Sequence, residues 1–446
     1  MLREKKFDCS FHVRKSRNAC SIKKFFHKQK EEQMKKLLTL ALVTLMTFGL
    51  FACEKPPAEK QTVTWWHTFT DDQKATLEAI IAEFNAANEG VIEVIAEAQE
   101  YSGFTQKVYN AVSEGVGPDI IFNYASEAAN YVDDGKVVDF AKYMKGDYSK
   151  MVGPGIYGEA TGFSDGKLHV IPVVTTGPIF FYNKTIYDKY NLTAPKTWEE
   201  LASNSKIVYE GEGIVGFTAD SFPDMFQAIM KQNGIPYIDV EAKKVGFNTP
   251  EMKKWLDWFA AGVKEGYFQL APQTGNYNSE DMSAVRLVSY IGSSAGLPYL
   301  NLPEGYEIAT APLPQSGTDT NWAPAWNRGA IVFTSNPARE AAAVKFIEFF
   351  INEANNTKWA ISMSAFSPYY ATQENADYKA YVAGNIALIA LGEQIEYSGV
   401  LPTPAGSGPI RDILDALVKK VATGTDATEA LNAAETEANG SLQNPQ

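Results

Sequence analysis

From Thr62 to Phe122 the chain alternates short apolar runs with amphipathic ones, and that alternation leaves few folds open to it. Thr62-Val63-Thr64-Trp65-Trp66-His67 reads as a first strand. Asp71 and Asp72 offer caps to a helix whose Leu77, Ile80, Ile81 and Phe84 fall on one face. Val91–Ile95 is a second strand, and Phe104–Ser113 a second helix with Phe104, Val108, Ala111 and Val112 inward. Gly115-Val116-Gly117-Pro118 breaks that helix, and Asp119–Phe122 is a short buried strand. Strands and helices at this spacing predict an α/β fold with mostly parallel, doubly wound sheets. The style continues, without sequence repeat, through Val170–Tyr182, Val215–Thr218 and Ala330–Thr334. The last third reads as helical over Arg339–Ile351, Ile410–Val421 and Ala427–Asn439.

Ahead of this body stands Met34–Cys53, MKKLLTLALVTLMTFGLFAC. Lys35 and Lys36 precede an uncharged apolar run, which stops at Leu50-Phe51-Ala52-Cys53 and gives way to Glu54-Lys55-Pro56-Pro57. That layout is a secretory signal rather than a spanning helix, because the apolar run is short and a small residue precedes the cleavage point. It resembles a bacterial lipobox, in which the cysteine receives a lipid and becomes the new N-terminus; Phe51 is bulkier than the usual residue there. Residues 1–33 carry no apolar period and read as upstream sequence outside the fold. Residues 34–52 are then the signal, and 53–61 the lipid anchor with a polar, Pro-containing spacer.

The three cysteines are Cys9, Cys20 and Cys53, so cleavage before Cys53 excludes a disulfide framework, a thiol nucleophile and a Cys-ligated metal. Removing residues 1–52 leaves 394 residues, with 28 basic and 49 acidic side chains and a formal charge of −21. That balance disfavours a nucleic-acid backbone or an anionic lipid surface as partner. The length suits two packed domains.

Several landmarks then occur in order. They are Trp66-His67, Gly117-Pro118-Asp119-Ile120, Gly177 to Lys184 (GPIFFYNK), Ala194 to Leu201 (APKTWEEL), and Arg328-Gly329-Ala330 before the helix around Ala341–Phe350. With them the mature chain resembles extracellular solute-binding proteins of family 1, the receptors of carbohydrate-type ABC importers. Its glycerol-3-phosphate-binding and oligosaccharide-binding members look nearest. The resemblance implies a two-lobed α/β protein of the periplasmic-binding-protein type II fold, with ligand enclosed in the interlobe cleft. Lobe I is expected over 62–176 and 306–336, lobe II over 177–305 and 337–446. The implied partners are a small carbohydrate-like solute and ABC permease subunits with a separate ATPase. The expected state is an exported monomer held at the cell membrane through Cys53, with no cofactor and no metal.

A sugar site needs aromatic planes for C–H faces and hydrogen-bonding groups for hydroxyls. Trp66 and His67, ending the first strand, are candidates for the cleft, or else they cap the sheet as core. Tyr101 and Phe104 match the family's lobe I stacking loop, although Phe104 also fits the first core position of its helix. Tyr124 and Ser126 follow a strand end. A glutamate contacts ligand in the phosphate receptor at the position of Ala125 here, and Glu127 stands two residues on. Thr175 and Thr176 match ligand-contacting serines, or fill a buried strand as β-branched residues. By resemblance Phe222 matches a stacking aromatic, Ser293 and Ser294 a serine loop, and Trp326, Arg328 and Gly329 the returning segment of lobe I. Phe366 stands where a relative has a ligand-bonding tyrosine. The phosphate receptor's arginine has no counterpart in Leu401–Gly406. A phosphate would need a forked guanidinium, from Arg328 or less readily from Arg411 or Arg286, so a neutral sugar is the preferred solute. Arg328 fits a salt bridge on the cleft rim equally well.

The same residues bear on an enzymatic reading. Gly292-Ser293-Ser294-Ala295-Gly296 fits the nucleophile-elbow pattern, but that fold needs a histidine after the serine, and none follows His169. No metal-hydrolase spacing or phosphate-binding loop is present. Paired carboxylates for glycoside hydrolysis stay open, since their separation is not readable from a sequence. The reading is therefore a non-enzymatic receptor.

Overall fold

A computed structural model describes residues 59–100, 103–272, 277–402, 404 and 406–444. The signal segment, Cys53 with its expected lipid, and Tyr101 lie outside these residues. In chain order the strands are β1 (Gln61–His67), β2 (Ile92–Ala98), β3 (Ile120–Asn123), β4 (Ile171–Thr176), β5 (Pro178–Asn183), β6 (Val215–Ala219), β7 (Ile238–Asp239), β8 (Lys244–Val245), β9 (Leu287–Ser293), β10 (Ile308–Ala311), β11 (Ala323–Pro324), β12 (Trp326–Val332) and β13 (Ser398–Gly399). One sheet has the order β2-β1-β3-β12-β4, and the other β10-β5-β9-β6. Each is the centre of a lobe.

The period-two pattern of β1 sends Val63, Trp65 and His67 to one face and Trp66 to the other. On the first face Trp65 packs among Phe122, Phe346 and Phe350 and is wholly buried. Helix Asp71–Ala87 lays Leu77, Ile80, Ile81 and Phe84 into the same core. Its N-cap is Thr70, without a side-chain bond, so Asp71 and Asp72 serve the first turn by charge rather than as caps. Helix Phe104–Ser113 covers the opposite face through Phe104, Val108, Ala111 and Val112.

The apolar run from Val170 to Tyr182 is two strands, not one. At Gly177 an added Cβ would lie 2.9 Å from the Pro324 carbonyl oxygen, so only glycine lets the chain pass from the first sheet into the second. A second crossing runs from β10 to β12. A third lies between helix Ala376–Ala383, whose Tyr378 is in the first core, and helix Ile386–Gln394, whose Leu388 and Leu391 are in the second lobe.

These crossings correct two expectations. The sheets are mixed rather than mostly parallel: β12 runs antiparallel to β3 and β4, and β5 antiparallel to β9 and β10. A strand entering from the other lobe starts at the end where its neighbours finish, and so runs against them. The lobe boundaries also shift. β10 lies in the second sheet, so residues 306–311 are not part of lobe I. Helices Pro337–Phe350 and Glu353–Ser362 put Phe346, Phe350 and Trp359 into the first core, so this stretch is not lobe II. They follow β12 by a short turn, and short connections keep consecutive elements adjacent.

Candidate functional site

At the seam between the lobes the ends of β3, β4, β6 and β9 face the starts of β5 and β12. Ligands bind at such strand ends in open α/β sheets. Trp326, the first residue of β12, is half-buried and paired with Thr176. Its indole N–H reaches toward Asp224 Oδ1 of the second lobe at 3.4 Å. Asp224 is in the first turn of helix Phe222–Gln232, where Ser221 Oγ caps its N–H at 3.3 Å. The Asp224 side chain is 2% exposed, and Arg411 neutralises it through a fork of 2.7 and 2.8 Å.

On the other flank of the crossing Ser294 N–H donates to Gly177 O at 2.9 Å. Asp220, at the end of β6, accepts from the Asn278 side chain at 2.7 Å. Asp220 is exposed, yet its carboxyl sits above the usual carboxylate range because surrounding protein strips its water, with Asn278 pulling the other way. A group that is both reachable and desolvated lies in a concavity.

In β12 the register slips between Arg328 and Gly329, a bulge against β4. At Gly329 an added Cβ would lie 2.5 Å from Val170 Cγ1 and 2.9 Å from Ile171 O, so a side chain has no room beside the bulge. Arg328 is half-buried, its guanidinium 5.0 Å from the centre of the Phe69 ring. Between Trp326 and Arg328, Asn327 accepts from Thr175 Oγ1 at 2.6 Å and donates to Glu159. Crowding by protein pushes the Glu159 carboxyl up to about 7, against the effect of its bond from Asn327.

Of the residues singled out from the sequence, five are committed to structure. His67 is buried at 3%, stacked on Phe69, with Nδ1 accepting the Phe69 N–H at 3.2 Å. Burial, then repulsion from Lys74, lowers its pKa, so the ring is neutral. Phe104 is the first core residue of its helix, and Phe222 packs edge-on against Phe259 in the second core. Thr175 is fully buried, its hydroxyl spent on Asn327 and its backbone paired with Phe366. Gly329 belongs to the bulge. His67 and Thr175 lie at strand ends that still face their own core, Phe104 and Phe222 open helices with the side chain turned inward, and Gly329 stands inside β12 where no side chain fits.

The remaining residues stand nearer the seam. Tyr124 is 42% exposed beyond β3, with Ser126 half-buried in the next helical turn. Beside them Glu127 is half-buried, and burial raises its carboxyl. Thr176, Trp326 and Arg328 lie together on β4 and β12. Ser293 is half-buried and caps the turn Ser294–Tyr299, while the buried Ser294 hydroxyl has no partner among the described residues. Phe366 is half-buried against the second lobe's Leu388 cluster. Trp66 is half-buried on the helix-covered face, its N–H on Glu97 at 2.8 Å and Lys107 over its ring. Arg411 and Arg286 are paired with Asp224 and Asp281, so neither is a free anion anchor.

Sequence reasoning missed Asp220 with Asn278, Asp224 as the partner of Arg411, and Glu159 with Asn327. Ser221-Phe222-Pro223-Asp224 does carry a helix-start pattern that could have flagged Asp224. The other pairs join distant segments and have no local signal.

The profile of the family described as bacterial extracellular solute-binding protein matches residues 79–385. The sn-glycerol-3-phosphate-binding periplasmic protein of Rhizobium meliloti is 24% identical over 253 residues, covering 53% of this chain and 57% of that protein. Among solved structures, the cyclic α-maltosyl-1,6-maltose binding protein of Arthrobacter globiformis superposes with a TM-score of 0.75 at 21% identity, over 86% of this chain and 99% of that one. UgpB of Mycobacterium tuberculosis, solved with glycerophosphocholine, gives 0.72 at 17% identity, over 86% and 98%. The profile match, over more than half of the chain, shows that it belongs to the bacterial extracellular solute-binding proteins.

Proposed function

We propose that this protein is the lipid-anchored receptor of an ABC importer, which captures a carbohydrate-like solute by lobe closure and delivers it to the permease without chemically altering it. The observation that carries this reading is that polar and aromatic side chains of both lobes stand about the first two crossings. Tyr124, Thr176 and Trp326 come from the first, and Asp220, Ser221 and Ser293 from the second. A solute held by both sets favours the closed state by its differential affinity. Family membership supports export, and the lipobox-like segment supports an anchor at Cys53. Among the described residues no helix is long and apolar enough to cross a membrane. The sugar-binding and glycerol-3-phosphate-binding relatives support a small hydroxylated solute. The buried Ser294 hydroxyl, with no histidine later in the chain, argues against a serine nucleophile at that loop.

Thermal unfolding of the purified protein against mono- and oligosaccharides, glycerol-3-phosphate and glycerophosphodiesters tests this. A true ligand at about 100 times its Kd adds roughly 2.7 kcal/mol, a clear rise in Tm. Recovery of the ligand unchanged is the expected accompaniment. Turnover of any compound would replace the receptor reading with an enzymatic one.

A further inference from the structure

We infer that the solute carries an anionic group and that Arg328 holds it; the inference rests on the receptor reading above. Four arginines fall within the described residues: Arg286, Arg328, Arg339 and Arg411. Three are paired with aspartates whose side chains are nearly sealed from water: Arg286 with Asp281 at 3.0 Å, Arg339 with Asp119 at 2.9 Å, and Arg411 with Asp224 at 2.7 Å. Arg328 has no carboxylate and donates no hydrogen bond among the described residues, and its Nε is buried. In a chain whose mature part carries 49 acidic and 28 basic residues, an arginine without an acid is the exception.

No carboxylate among the described residues serves that role. Phe69 offers only a ring face, at 5.0 Å. His67, behind Phe69, is neutral and has its Nδ1 engaged. Asn327 is spent on Thr175 and Glu159, Asp224 on Arg411, and Asp220 accepts from Asn278. The β12 bulge beside Gly329 and the Phe69 face fix the guanidinium's position without satisfying its donors. A guanidinium fork matches the planar oxygens of a carboxylate or the oxygens of a phosphate. Neutral hydroxyls could occupy one donor but would leave the charge uncompensated. Asp220, which can accept sugar hydroxyls, and the exposed Tyr124 ring suit the rest of a polyol. The solute class is therefore a sugar or polyol bearing one oxyanion, in place of the neutral sugar expected from the arginine-free Leu401–Gly406 stretch.

Matched pairs test it: D-glucuronate against D-glucose, a glucuronyl disaccharide against its neutral glucosyl analogue, and glycerol-3-phosphate against glycerol. Calorimetry on the wild-type protein should show the charged member of at least one pair binding tighter, and which pair separates carboxylate from phosphate. R328A and R328Q should lose about 30-fold or more for that charged ligand and little for its neutral partner. R328K, which keeps charge without the fork, should recover part of the loss. The charged-to-neutral ratio is the deciding readout, because a purely structural role would weaken both members alike; a Tm for each variant confirms folding. A neutral sugar that binds wild type and R328Q equally would overturn the inference while leaving the receptor reading intact. A protein that binds no member of any pair, nor any compound of the broader thermal panel, would overturn both.

Discussion

Thr175, Asn327 and Glu159 show at the scale of single residues how a site can be built on a group that is not itself in it. Thr175 donates to the Asn327 carbonyl, which turns the Asn327 amide toward Glu159. Asn327 is 3% exposed and is flanked by Trp326 and Arg328, so this chain of bonds sets the start of β12. The cost is a carboxyl whose proton is held up to about 7 by crowding. An unfolded glutamate loses its proton near 4.5. Between those values the folded state binds more protons than the unfolded state, so this group makes stability fall as pH rises through the window, with the loss complete above about 7. Its size is on the order of 3 kcal/mol. E159Q keeps an acceptor for Asn327 and removes the titration. Urea unfolding at pH 5 and pH 8 should therefore give a wild-type-minus-variant difference that becomes more negative at the higher pH. An unchanged difference would refute the assignment.

At the scale of the element, β12 is the strand that matters most. It enters its sheet from the seam, pairs with both β3 and β4, and carries Trp326 and Arg328 before its bulge. Gly329 allows the bulge because any Cβ there meets Val170 Cγ1 at 2.5 Å and the Pro172 nitrogen at 2.9 Å. Backbone cannot give way as a flexible side chain can. G329A should destabilise the protein by about 1–3 kcal/mol, the usual cost of overpacking, read as a lower urea midpoint. A midpoint equal to wild type would mean that the strand relaxes freely and that the bulge does not fix Arg328.

At the scale of the whole molecule, one buried side chain bridges two of the crossings. Gln394 is fully buried; its amide donates to Pro178 O at 2.9 Å and its oxygen accepts the Leu313 N–H at 2.9 Å. It thereby ties the first crossing to the second. Q394A leaves a buried carbonyl and a buried N–H without partners, and each such group costs about 1–3 kcal/mol. The expected result is a loss of about 2–5 kcal/mol in urea unfolding. A loss below about 1 kcal/mol would show that water or neighbouring groups replace Gln394. Closure around a solute requires these segments to absorb small backbone rotations while the two cores stay rigid.

Much of this protein was legible in residue order, because hydrophobic period is a local property. Leu77, Ile80, Ile81 and Phe84 are all buried as their spacing predicts, and Phe104–Ser113 is a helix with the expected inward face. The two-lobe fold was legible too, since length is read directly, and the extracellular family agrees with the export expected from Met34–Cys53. Local pattern could not reveal where a crossing reverses a strand, and so the mixed sheets and the lobe membership of β10 and of helix Pro337–Phe350 were out of reach. Nor could it reveal which charges find one another: Asp224 meets Arg411 across 187 positions, while Arg328 meets no acid among the described residues. Pairing depends on distance in space, which only the packed chain defines. The amino-acid order by itself determined the elements, their inward faces and the kind of protein; the tertiary structure alone decided which polar groups are spent on the fold and which are left for a ligand.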